Sequence, residues 1–481
     1  MQRVADSLVV HYGERRRAIA AELALLFNAA RDFERATEHY EVAVEEAIQM
    51  YAMKEAMMLA RQGLEAAAHL RAPSNRAQRQ LRLLTGLGKS LMATESWGAA
   101  EAEEIHRQAL EVYREVGQTP QLFPIVWGHW QYCLGRANYG SARDCARRLS
   151  ALASELGEEQ LVLLAHQAVA QTNWLSGDFA SVVGPAESAI ALYVPDRHHI
   201  LAAAYGGHDP GVASRSCLAL NLWILGKPEQ AVRTSEDAIA LAQRLEHRYS
   251  LVFALLFDAM LQTQCREPER VLHQTEAAIA LAKDERWWAV VLQSWAAALR
   301  GWALAQQGRP DHGIALLRDA IDECRRARFE SLQPYFLALL AESYVAAGDA
   351  AAGLRTLDEA LAITERTREG YVEAELHRLQ GEWLEDSAMK EARFLRAGDI
   401  ARRQGATAYE LRAAMSMSRL DAAHGRRGPA RQRLTEIYRS FREGFDTRDV
   451  RDARSLLSSR ICRRAFLLHL LRGHASLDND P

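Results

Sequence analysis

Cysteine is scarce and ungrouped in this chain. Cys133, Cys145, Cys217, Cys265, Cys324 and Cys462 are the six in 481 residues, and no two form a CxxC pair. The sequence therefore signals neither a zinc site nor a disulfide framework, and the thiols read as small buried apolar groups of a reducing compartment. Long hydrophobic runs are missing too. Pro120 to Gly135 is among the longest uncharged stretches and falls short of a membrane span, while the opening MQRVADSLVVHYGERRR lacks the apolar core of a signal peptide. A soluble cytoplasmic protein is expected. Charge of one sign is lacking as well: the net value is −3 with acids and bases interspersed, which provides no broad electrostatic footprint for nucleic acid.

Catalytic motifs are absent in the same way. There is no HExxH, no GxSxG and no complete phosphate loop, so no catalytic residue, cofactor or metal ligand is assigned and a non-enzyme is expected. Gly86-Leu87-Gly88-Lys89-Ser90 resembles the end of a phosphate loop, but Leu83 stands where the first glycine is required. The run before it, NRAQRQLRLLT, is an amphipathic helix rather than a buried strand, so these glycines mark close helix contact.

Only twelve prolines and little Val/Ile/Thr alternation leave an Ala- and Leu-rich chain that reads as almost purely helical. One repeated unit organises it, clearest in LLAESYVAAGDAAAGLRTLDEALAI. Leu340, Ala341 and Tyr344 share one helical face, Gly348 and Asp349 break the helix, and Gly353, Leu357 and Ala360 form the facing stripe of a second. Small residues at 341, 353 and 360 let the two backbones approach closely. This order of small and large positions resembles the tetratricopeptide repeat. Copies recur around Ala24 and Tyr40, Ala170 and Ala189, Ala219 and Ala238, Ala259 and Ala278, and Gly301 and Ala320. Their spacing is about 40 residues against roughly 34 for the standard repeat, so longer helices are expected. The predicted fold is all-α, a right-handed α-solenoid of about ten to eleven tetratricopeptide-like hairpins over residues 1–458, with a basic and apolar tail over 459–481.

Several stretches stand out against this period. Met50, Met53, Met57 and Met58 cluster near the start, as core filler or as an adaptable binding face. Arg71 to Asn75 reads as a short linker. Trp127 and Trp130 lie three apart on one helical face, either in the core or as an aromatic wall of the inner groove. Trp288, Trp295 and Trp302, with Trp287 beside them, form another stripe. Tyr193 to Ala213 interrupts the period and collects Asp196, His198, His199, His208 and Asp209. It reads as a structural loop, a partner contact or, least favoured, a metal site, with Asp209-Pro210-Gly211 as a turn. Candidate groove contacts are Trp127, Trp130, Trp174, His208, Asp209 and Trp223.

At TPQLFPIVWGHW, YGGHDPGVAS, LRGWALAQQGRPDHGIALLRDAI and YVEAELHRLQGEWL the sequence resembles the C-terminal tetratricopeptide-like region of large bacterial signalling proteins. Those proteins carry a class III adenylate or guanylate cyclase domain, or a DNA-binding domain, followed by a signal-transduction ATPase. The resemblance runs from about residue 15 to about 458, and Met1 falls roughly where the ATPase would end, so no cyclase or ATPase residue carries over. It implies a sensor or interaction arm: a non-catalytic scaffold that binds a partner protein segment in its concave groove, the partner being a signalling ATPase or cyclase. The alternative is a small-molecule receptor for a sugar or nucleotide-like inducer in the same groove.

Overall fold

The computed structural model describes residues 1–94, 98–116, 122–205, 207–283, 290–426 and 428–458, and among them every regular element is helical. Hairpin follows hairpin. First helices begin at Pro210, Arg248, Val290, Gln333 and Glu373, about 40 residues apart, as the sequence period requires. The defining unit is built from Gln333–Ala346 and Ala350–Thr367. Gly348, at φ 85°, takes the left-handed conformation that ends the first helix, and the Asp349 carboxylate accepts from Ala352 N at 2.8 Å to start the second. Pro228, Pro268 and Pro310 open second helices at the first turn, where a missing amide donor is harmless.

From Leu122 onward, burial separates the two helices of each hairpin. From Val252 to Gln264 every residue of Arg248–Cys265 is buried, whereas Pro268–Ala282 buries only Val271, Thr275, Ala278 and Ala282. A helix apolar all round belongs inside, and one with a single stripe belongs outside. First helices therefore line the axis and second helices form the outer layer.

The superhelix then closes on itself. Glu330 N donates to Gly135 O at 2.7 Å, Gly370 N to Leu175 O at 2.9 Å, and the Arg136 guanidinium to Arg328 O at 3.0 Å. These partners lie some 190 residues apart, about five repeats, so one turn of the superhelix rests on the next. The core is continuous along the axis, and a smaller cluster around Leu411, Met415, Ile437, Phe441 and Val450 joins the last hairpin to Arg448–Ser458.

Several expectations change. Pro73 belongs to the helix Pro73–Thr94, so the linker is shorter than Arg71 to Asn75. Gly86 to Ser90 lie inside that helix, where a Cβ on Gly86 would meet Val44 Cγ1 at 2.5 Å; the glycines serve helix contact. The interruption after Tyr193 contains the short helices Pro195–His198 and Leu201–Ala204 and ends at Asp209. Asp209-Pro210-Gly211 is a helix start rather than a turn, with Asp209 as cap and Pro210 as first residue. Trp287, Trp288 and the tail 459–481 lie outside the described residues. Among the described residues no helix is long and apolar enough to cross a membrane.

Candidate functional site

Asp209 is the hub of the interrupted repeat. Its side chain is fully buried; Oδ1 accepts from Val212 N at 3.0 Å, and Oδ2 accepts from Tyr193 OH at 2.7 Å and meets His199 Nδ1 at 3.2 Å. Asp209 N donates to Ser250 Oγ at 2.7 Å. Ser250 Oγ lies 2.7 Å from His247 Nδ1, and His247 Nε2 lies 2.6 Å from Tyr51 OH, 196 residues away in sequence. Burial, with His199 adding to it, pulls the His247 imidazole down to about 4. At neutral pH the ring is therefore uncharged, with one nitrogen donating and the other accepting. Burial likewise pushes the Tyr51 phenol up to about 12, helped by the Asp209 charge. A continuous hydrogen-bonded chain thus runs from the interrupted repeat to the turn before Met53–Ala68.

Serine, histidine and aspartate in one network suggest a hydrolase triad, and the geometry rejects it. Ser250 is fully buried, and Asp209 reaches the serine oxygen through its own backbone amide instead of orienting the imidazole. No nucleophile is offered to a substrate here.

The six candidate groove residues all lie inside, from 0 % exposed at Asp209 to 5 % at Trp223. Trp127 and Trp130 are core residues rather than an open aromatic wall. Their rings sit 4.7 Å apart, with Trp127 Nε1 donating to Tyr205 O at 3.0 Å and Trp130 Nε1 to Thr172 Oγ1 at 2.9 Å. Trp174 and His208 join one aromatic column along the axis. His208 stacks on Phe253 at 4.6 Å, Phe253 on Phe257 at 4.4 Å, and Trp174 contacts Phe257 at 5.7 Å and Tyr371 at 4.9 Å. Tyr371 belongs to the following superhelical turn, so the column fills the space a concave groove would occupy.

Trp223 stands at a second junction between turns. It packs on Tyr409 at 5.7 Å and under the Arg412 guanidinium at 4.8 Å. Arg412 Nε donates to Asp449 Oδ2 at 2.7 Å and Nη1 to Glu375 Oε1 at 3.1 Å, while Arg378 also grips Glu375. Burial alone would raise the Glu375 carboxyl, but Arg378 and Arg412 outweigh it and hold it at about 2. Trp223, Phe441 and Asp449 border a cavity of about 20 Å³, room for about one water.

Sequence reasoning missed Tyr51, His247, Glu375 and Arg412. Tyr51 and His247 meet across 196 residues, and Arg412 meets Glu375 and Asp449 across 37 to either side; neither periodicity nor motif spacing carries such a pairing. The histidines and carboxylates of the interruption do not gather as a ligand set; His198 Nδ1 instead accepts from Val194 N at 3.0 Å.

With the geometry in hand, comparison places the fold in a class. A tetratricopeptide-repeat family model matches residues 294–319 and 334–359, which fall on two consecutive hairpins. An uncharacterized protein of Rhizobium meliloti (strain 1021) is 28 % identical over 418 residues, covering 81 % of this chain and 39 % of that protein. The chain thus spans well under half of the length of that relative. Among solved structures, a Rap protein complexed with Competence and Sporulation Factor superposes with a TM-score of 0.52 at 14 % identity, over 83 % of this chain and 99 % of the Rap chain. A human IFIT1 dimer with m7Gppp-AAAA aligns more loosely, with a TM-score of 0.42 at 13 % identity, over 85 % of this chain and 90 % of that one. The fold is that of a tetratricopeptide-like α-solenoid.

Proposed function

We propose that this chain is a non-catalytic protein-interaction arm of a bacterial signalling protein, holding a partner through its superhelical turns. The observation that carries the reading is the seam between turns. Apolar inner helices meet across the axis, and polar links fasten the seam, among them Tyr51 to His247, Tyr139 to Glu369 and Arg266 to Asp449. Parting those links exposes a long apolar and aromatic wall of the kind that takes up an amphipathic segment. A Rap protein of the same fold is solved in complex with Competence and Sporulation Factor, which is consistent with a superhelix that takes up a partner. The partner in this reading is a signalling ATPase or cyclase, as the sequence resemblance implies.

The test is a clamp. A Tyr51→Cys/His247→Cys pair oxidised across the seam should lose binding to a candidate partner that carries a signal-transduction ATPase domain, and reduction should restore it. Equal capture in both states, or no capture by the unmodified chain, overturns the reading. The receptor alternative has less support: the cavity beside Trp223, one of its candidate contacts, has about 20 Å³, room for about one water. Thermal unfolding with a panel of sugars and nucleotides should accordingly leave the midpoint unmoved.

A further inference from the structure

Two cysteines that lie twelve positions apart in the sequence come together in the hairpin of Leu122–Gly135 and Tyr139–Leu156. His129 and Cys133 are one helical turn apart on the first helix, and Cys145 faces them from the second. Cys133 Sγ lies 3.6 Å from His129 Nε2, and the His129, Cys133 and Cys145 ligand atoms all fall within 4.8 Å of one another. Tetrahedral zinc with bonds of about 2.3 Å to sulfur and about 2.0 Å to nitrogen sets its ligand atoms roughly 3.5–3.8 Å apart. The His129–Cys133 pair already has that spacing, and Cys145 needs a shift of about 1 Å at most.

We propose that His129, Cys133 and Cys145 bind one zinc(II) ion, with the fourth position open to water.

The surroundings suit such an ion. Cys133 is buried while His129 and Cys145 are partly exposed, so the set has a way in from solvent. His129 Nδ1 is buried without a hydrogen-bond partner, as is Nε2 of the neighbouring His106, whose ring centre lies 6.2 Å from that of His129. Two imidazoles thus meet here with unspent nitrogen atoms. On binding, hydrated zinc(II) loses water ligands, both thiols release their protons to solvent, and two Zn–S bonds and one Zn–N bond form. The complex of two thiolates, one neutral imidazole and one divalent ion carries no net charge, which suits a half-buried site. Thiolate and imidazole together favour zinc over hard ions such as calcium or magnesium.

The test uses the full chain, reduced and stripped of metal, titrated with zinc(II) and with cobalt(II) as a coloured substitute. One equivalent should bind per chain, with a thiolate-to-cobalt charge-transfer band and tetrahedral d–d absorption that zinc abolishes. Cys145→Ser, a change at a partly exposed position, should weaken binding by more than about a hundredfold, since losing a ligand exceeds the tenfold to hundredfold of outer contacts. His129→Gln should do the same. Helix content by circular dichroism separates either loss from misfolding. Zinc bound equally well by the Cys145→Ser variant overturns the proposal. So does a reduced, folded chain that takes up neither metal and on oxidation forms only a Cys133–Cys145 disulfide.

Discussion

Glu369 is 1 % exposed and sits on the seam, where Tyr139 OH donates to Oε2 at 2.7 Å and Leu332 N donates at 3.2 Å. Burial pushes its carboxyl up to about 7 against the partial opposition of those two donors. A folded value above the unfolded one means that the folded state binds the extra proton, so its stabilisation is complete at low pH and disappears as pH rises through about 7. Urea unfolding at about pH 5 and about pH 8 should show a loss on the order of 3 kcal/mol, and Glu369→Gln should flatten that slope. Glu375 works with the opposite sign. Held at about 2, it contributes at neutral pH and fails only as pH falls through that value. Arg412→Ala removes one of the two guanidiniums on Glu375 and one of the two on Asp449, both in the interior, and should cost about 3 kcal/mol, read as a lower denaturant midpoint. None of these pairings was legible in the sequence, because a carboxylate or a guanidinium looks the same on any helix until the hairpins are packed together.

Helices and their junctions were far more readable. Ala341, Gly353, Leu357 and Ala360 predicted a hairpin, and all four are buried in it. The same close approach occurs at Gly301 and Gly313, where a Cβ on Gly313 would stand 2.3 Å from Gly301 O. Gly313→Ala should therefore lower the melting temperature despite alanine's better helix propensity, because the neighbour is backbone and cannot move aside; an unchanged or raised midpoint in calorimetry refutes this. Asp209 was misread as a turn residue because turns and helix caps favour the same short polar side chains. Its replacement by Ala removes the Val212 cap and strands Tyr193, so a loss of at least about 2 kcal/mol is expected in chemical denaturation. His129 and Cys133 had a legible i, i+4 spacing, but their third ligand arrives from another helix and no local spacing announces it.

Across the whole molecule the closure of one turn upon the next decides what is surface. Trp174 is buried because Tyr371 of the following turn lies against it, and Trp223 because Tyr409 and Arg412 do. A chain cut after Arg326 removes those partners. It should bind a hydrophobic dye and shift its tryptophan emission to the red, whereas an unshifted spectrum would mean that the first turn buries its own axis. The sequence alone determined the helical hairpin, its period and the stripe each outer helix buries, since all three follow from interactions within three or four residues or between adjacent helices. Only the tertiary structure decided which faces line the axis, that the axis is filled by aromatic side chains, and which polar groups fasten the seam. Superhelical pitch accumulates from small rotations at every repeat, and no local pattern encodes where residues some 190 positions apart will meet.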